Sequence, residues 1–116
     1  MLKRHTISVR HAVDGLIWAL KTQPNYRIHL FLSTLSIIGG IILKINYFEF
    51  LLIIFLITVG LVIETINTGL EQTTDAIDYK IREDIKIAKD VAAAAMLIYA
   101  VGSFIIACFI FIPKII

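Results

Sequence analysis

Long apolar runs dominate the order of hydrophobic and polar positions along the chain. Three stretches, 28–45, 47–63 and 91–112, approach or exceed the roughly 20 residues a helix needs to cross a bilayer. The first two are separated only by Lys44, Asn46 and Glu49 with their neighbours, which suffices for a tight turn at a membrane surface and predicts a hairpin. Before them, Val9, Val13, Leu16, Ile17 and Leu20 recur along one helical stripe, with Arg10, His11, Asp14 and Lys21 off it. That pattern predicts an amphipathic helix lying on the membrane surface, with Trp18 at headgroup depth and Pro24 at its end. Ile77, Ile81, Ile85 and Ala88 repeat the helical spacing among charges and predict a second amphipathic segment. The resulting division has a surface helix at 1–24, membrane helices at 28–45, 47–70 and 90–112, and a connection at 71–89. The fold class is therefore an all-α integral membrane protein, with one surface helix and three transmembrane helices.

Composition strengthens this reading. Of 116 residues, 59% are hydrophobic and 17% charged, and the mean hydropathy is +0.88, whereas ordinary soluble domains carry about 25% charged residues. A soluble domain of this length could not bury so much apolar surface. No long apolar run precedes residue 28, so no cleavable leader is expected. Cys108 is the single cysteine, which excludes an internal disulfide and leaves no thiol-based metal framework. A net charge of +2 is too small for a nucleic-acid binder.

The basic residues set the orientation. Nine of the eleven lysines and arginines precede the first span or lie between the second and third; Lys44 and Lys114 are the exceptions. Cytoplasmic loops are enriched in such residues, so the N-terminus and the 71–89 connection are expected inside and the C-terminus outside.

The acidic residues are segregated more sharply. Glu64, Glu71, Asp75, Asp78, Glu83, Asp84 and Asp90 account for seven of nine. If the second membrane helix continues past Ile63, then Glu64, Asn67, Glu71, Asp75 and Asp78 follow at steps of three or four and share one face. Like charges on one helix face repel, so a compensating group is expected. Magnesium suits it, because that ion is usually held by one or two carboxylates together with substrate phosphates and water. Lys80, Arg82, Lys86 and Lys89 lie near enough in sequence to add positive charge toward phosphates. Glu64 follows a continuous apolar run; either it marks the end of the span, or it is an ionisable group at the lipid interface, where function is the default reading. Asp78, Glu83 and Asp84 read more simply as a solvated face. Glycine-rich nucleotide loops, nucleophile elbows and paired histidine spacings are absent from the sequence.

At Glu64-Thr-Ile-Asn67-Thr-Gly-Leu-Glu71-Gln-Thr-Thr-Asp75 the sequence resembles the small bacterial membrane lipid kinases, the diacylglycerol kinase and undecaprenol kinase family, with its E-x-x-N-x-x-x-E-x-x-x-D pattern. A second block, Ala88-Lys89-Asp90 followed by small residues, is similar to the family's A-K-D run, and Gly15, Trp18, Asn25-x-Arg27-x-His29 and Phe111-Ile112-Pro113-Lys114 extend the likeness over nearly the whole chain. The resemblance implies a homotrimer in the bacterial cytoplasmic membrane, with active sites between subunits, ATP on the cytoplasmic side and a lipid alcohol arriving from the bilayer. It implies Glu64 as general base, Glu71 as ligand of Mg2+, Asn67 as an orienting group, and Lys89 with Asp90 as nucleotide contacts. Arg4, His11, Lys80 and Arg82 match further nucleotide-contacting positions. Asn25, Arg27 and His29, with Trp18, match positions facing the lipid. Where the family carries a second metal-directed glutamate this chain has Gln23, whose carbonyl can still ligate but brings no charge. Undecaprenol is the favoured acceptor and diacylglycerol the next. The rival readings are a non-catalytic membrane protein binding a divalent cation or nucleotide and, more weakly, a transporter.

Overall fold

A computed structural model describes residues 2–78, 80 and 82–116. It contains four helices, α1 (Leu2–Thr22), α2 (Pro24–Ile42), α3 (Tyr47–Ile77) and α4 (Glu83–Ile115). The described residues include no strand. Two helices, α3 and α4, are long and apolar enough to cross a membrane. At 1.5 Å per residue, the 31 residues of α3 extend about 46 Å, against a hydrocarbon layer of about 30 Å. The helix is therefore long enough to carry Glu71 and Asp75 beyond such a layer on the same rod that begins at Tyr47.

Very little of this apolar surface is covered by protein. The small core joins Ile45, Ile53 and Ile110, with Phe50, Ile57, Ile106 and Phe111 against it. Phe31, Phe55, Leu97, Ile98, Phe104 and Phe109 are all exposed. A soluble monomer seldom shows contiguous apolar patches beyond a few hundred Å², so lipid or another chain must meet these faces. The stripe predicted on α1 is likewise uncovered, Val9, Val13, Leu16 and Ile17 being exposed, and only Ala19 of that helix is buried.

Several boundaries differ from the sequence expectation: α3 runs to Ile77 rather than 70 and α4 spans Glu83–Ile115 rather than 90–112, so the connection expected at 71–89 is largely helical. Pro24 does end α1, but it also begins α2 four residues before the expected start of the first membrane helix. Proline is suited to the first helical turn, where its missing N–H has no partner to lose. That helix also ends early, at Ile42 rather than 45. Lys44 adopts a left-handed backbone with φ 55°, and Ile45 folds back under the turn, its N–H bonded to the Gly40 carbonyl at 3.1 Å. A side chain on Gly40 would collide with Ile45, so the glycine permits this reversal. Finally, Ile77 and Ile85 do not belong to one amphipathic helix; Ile81, expected between them, lies outside the described residues. Asp78 is extended and accepts a hydrogen bond from the Lys80 N–H at 2.9 Å, a local alternative to helix that aspartate favours. The helix restarts with Glu83 and Asp84 in its first turn, where negative charge suits the N-terminal dipole.

The hairpin is fastened at its turn. Asn46 accepts from the Glu49 N–H at 2.9 Å while the Glu49 carboxylate accepts from the Asn46 N–H at 3.0 Å, a complete capping box. Lys114 at the end of α4 reaches the same carboxylate at 3.4 Å. Asn46→Ala is expected to lower stability by about 1 kcal/mol, read as an earlier unfolding midpoint in a denaturing-detergent titration.

Candidate active site

The ridge expected on the second membrane helix is present on α3 from Glu64 to Asp75, with Asp78 falling in the extended cap beyond it, and it turns inward. Glu64 is 5% exposed and Asn67 9%, while Glu71 is half-buried. Steps of three and four residues put these side chains on one face, and that face packs toward α2 and α4. A cavity of about 340 Å³ opens there, lined by Glu64, Asn67 and Glu71 from α3, Asn25 and His29 from α2, and Met96 from α4. Tyr26, 3% exposed, helps to seat α2 against α3, its phenolic oxygen accepting from the Thr65 hydroxyl at 3.4 Å.

The repulsion expected along the ridge is relieved within the chain at Glu71 and Asp75. Asn67 donates its amide to the Glu71 carboxylate at 3.2 Å. One turn on, Asp75 forms an ion pair with Lys89 of α4, which bridges the break between the two helices. The sequence suggested a phosphate contact for Lys89 and no partner for it. The i+4 step from Glu71 to Asp75 was legible, but the distance across the break was not.

A second cavity, of about 250 Å³, lies at that break. Lys80, Arg82, Lys86, Lys89 and Asp90 line it. Its charges are partly matched, since Arg82 reaches Asp84 at 2.8 Å and Lys86 reaches Asp90 at 2.8 Å. The Asp90 carboxylate raises the pKa of Lys86 above the usual lysine value, mainly through their hydrogen bond. Asp84 is held below the usual carboxylate range, first by the Ile85 N–H and then by Arg82. Lys86 thus stays charged near neutral pH.

The other sequence-selected residues are placed separately. Arg27 is exposed and lines neither cavity. Trp18 is 43% exposed on α1, and Arg4 and His11 are exposed on that helix away from both cavities. Gln23 caps α2 and donates to the Thr22 hydroxyl at 3.3 Å, and it is not part of the Glu64 cavity. Two residues that the sequence did not single out do contribute. Met96 forms the α4 wall of the cavity. Tyr99 stacks on His29 with ring centroids 5.6 Å apart and donates its hydroxyl to the Leu56 carbonyl.

The donor set suits magnesium better than a transition metal. No group of three or more His, Cys, Asp or Glu side chains converges among the described residues, which build no closed cage. It offers instead two carboxylates on one face and, between them, the buried Asn67 Oδ1, which has no hydrogen-bond partner. An ion that retains water and shares phosphate oxygens needs no more than this.

The fold and its site describe a small helical protein with carboxylates placed where apolar helix gives way to polar helix, and the family match assigns it to the membrane-bound lipid kinases. The chain matches the family of prokaryotic diacylglycerol kinases over residues 10–111 and belongs to that family. It is an enzyme, a phosphotransferase with an alcohol group as acceptor, and the non-catalytic and transporter readings give way to this assignment. It is 34% identical to an undecaprenol kinase of Bacillus subtilis over 113 residues, covering 97% of this chain and 92% of that protein. It is 31% identical to a diacylglycerol kinase of Synechocystis over 108 residues, covering 92% of this chain and 62% of that protein.

Proposed function

We propose that the protein transfers the γ-phosphate of ATP to the hydroxyl of a membrane lipid alcohol, with Glu64 as the general base. The observation that carries this reading is the position of Glu64, almost fully withdrawn from solvent yet open to a cavity shared with Asn67 and Glu71. A carboxylate there accepts the proton of a hydroxyl arriving from the lipid side as that oxygen attacks phosphorus. About 10 Å of helix rise separates Glu64 from Glu71, which suits a hydroxyl at membrane depth and phosphates in water. Glu71 and Asn67 Oδ1 would hold Mg2+ together with phosphate oxygens. When bound, that ion neutralises phosphate charge.

The remaining contribution of the protein is positioning and electrostatics, which carry most of the catalysis in phosphoryl transfer. Lys89 and Asp90, with Lys80 and Arg82, contact the nucleotide from the α3–α4 break. Asn25, Arg27, His29 and Trp18 face the lipid. Arg4, His11 and Gln23, remote from the cavity within one chain, complete the site in a homotrimer, where α1 of one subunit covers the carboxylates of the next. In this reading α2 is the third membrane span, the N-terminus and the break are cytoplasmic, and the protein resides in the bacterial cytoplasmic membrane.

The preferred acceptor is undecaprenol, which agrees with the coverage of the Bacillus subtilis relative across 97% of the chain. Reconstituted protein is expected to pass label from γ-labelled ATP to undecaprenol at a kcat/KM at least about tenfold above that for diacylglycerol, the scale of discrimination that apolar pocket contacts provide. Equal or inverted values measured side by side would withdraw undecaprenol as the acceptor.

A further inference from the structure

One row of cations on α1 lines neither the Glu64 cavity nor the cavity at the break. Lys3, Arg10 and Lys21 are 7 and 11 residues apart, close to whole numbers of helical turns, so they share one edge of the helix. At 1.5 Å of rise per residue that edge runs about 27 Å. All three residues are exposed, and none of them joins an ion pair among the described residues. Asp14, the single acid of α1, lies close to the same edge, four residues after Arg10. Arg4 and His11 form a separate row and stay with the proposed nucleotide site.

The cations border the apolar stripe. Val13 stands three residues from Arg10 and Ile17 four from Lys21, so both sit between the cations and the line of Val9, Leu16 and Leu20. On the other border, three residues from Leu16, Ala19 is buried where α1 meets the other helices. The cations therefore occupy the margin that points away from the bundle. Lysine and arginine at such a margin lay their stems along apolar surface and raise their charges to headgroup level. Helix stability does not account for the row. Lys3 stands in the first turn of α1, which holds no acid, although a cation there opposes the helix dipole. Three like charges without a protein partner call for negative charge from outside the chain.

We infer that the Lys3, Arg10 and Lys21 edge of α1 docks on the phosphates of anionic phospholipids, with the adjoining stripe in the acyl layer, so that the protein gathers anionic lipid around this helix. Charge complementarity decides the occupant. A leaflet rich in anionic lipid presents net negative charge along a plane, as the row presents positive charge along a line, whereas a zwitterionic headgroup brings its own cation to each phosphate. Each lysine or arginine held near an anionic surface adds several-fold to the attraction, and Asp14 works against it. Docking of this edge does not depend on the phosphoryl-transfer reaction.

Trp18 is the only tryptophan of the chain and stands three residues from Lys21 and four from Asp14, so its fluorescence reports on this edge. The wild-type protein is reconstituted in vesicles of equal parts phosphatidylglycerol and phosphatidylcholine, with bromine on the upper acyl chain of one lipid or the other. Quenching by the brominated anionic lipid should exceed quenching by the brominated zwitterionic lipid by about twofold or more. Salt at about 1 M, where the screening length falls to about 3 Å, should remove the excess. Lys3→Gln, Arg10→Gln and Lys21→Gln combined should bring the ratio close to one, and Asp14→Asn should raise it above the wild-type value. Equal quenching in the wild type, or quenching by neither lipid, overturns the inference, as does a ratio that survives high salt or fails to rise in Asp14→Asn. A ratio that survives the triple substitution also overturns it and leaves the row to acidic groups of a second copy.

Discussion

Glu64→Gln is expected to lower kcat for transfer from ATP to a lipid alcohol by about 10²–10⁴-fold, the range associated with one positioned general base. Glutamine keeps the shape and hydrogen-bonding capacity of the side chain and removes only its ability to take a proton. The site tolerates an uncharged side chain sterically, because Glu64 makes no ion pair among the described residues and is packed to 5% exposure. ATP binding by the variant, measured by equilibrium binding in detergent, should therefore remain near wild type while turnover is lost. Turnover within threefold of the wild type would remove Glu64 as the base and direct attention to Glu71, the other carboxylate on this face.

Lys89→Met should reduce kcat/KM for ATP by about 10²–10³-fold, comparable with removing one preorganised donor from a site of developing charge. The pairing with Asp75 defines what is lost. Both side chains are partly exposed, 38% for Lys89 and 42% for Asp75, so the pair contributes little to stability. Its consequence is geometric, since it holds the lysine of α4 over the acidic face of α3. Asp75→Asn should accordingly raise KM for ATP by less than Lys89→Met does, and the double variant should be no worse than Lys89→Met alone. An additive double variant would show that Asp75 acts on the nucleotide independently of Lys89. The measurement is a KM series in ATP at saturating lipid alcohol.

Much of the architecture could be read from residue order because lipid makes a simple demand. Apolar runs near the length of a bilayer crossing must become helices, since no water is present to satisfy an open backbone. The α3 and α4 helices follow directly. Their polar ends were less predictable. Pro24 reads as a stop for α1, but it is equally a start for α2, and both roles are realised around the single cap residue Gln23. The Ile77 and Ile85 spacing reads as one amphipathic helix until the Asp78 side chain engages the Lys80 N–H. Such local competition is decided by a few tenths of a kcal/mol and leaves no periodic trace.

The acidic face was legible for a similar reason. Helical periodicity alone aligns Glu64, Asn67, Glu71 and Asp75, whatever the rest of the chain does. Which groups face them depends on how α2 and α4 cross α3. Periodicity within one helix carries no record of that crossing. Thus the sequence by itself determined an all-helical, lipid-facing chain whose second long apolar run continues into a row of carboxylates. The tertiary structure decided that the row turns inward, that Lys89 answers Asp75 across 14 residues, that Tyr99 meets the Leu56 carbonyl across 43, and that Gly60 leaves room for His29 and Tyr99 together. Those choices depend on side-chain volume at helix crossings, where one missing Cβ brings two rings onto a helix.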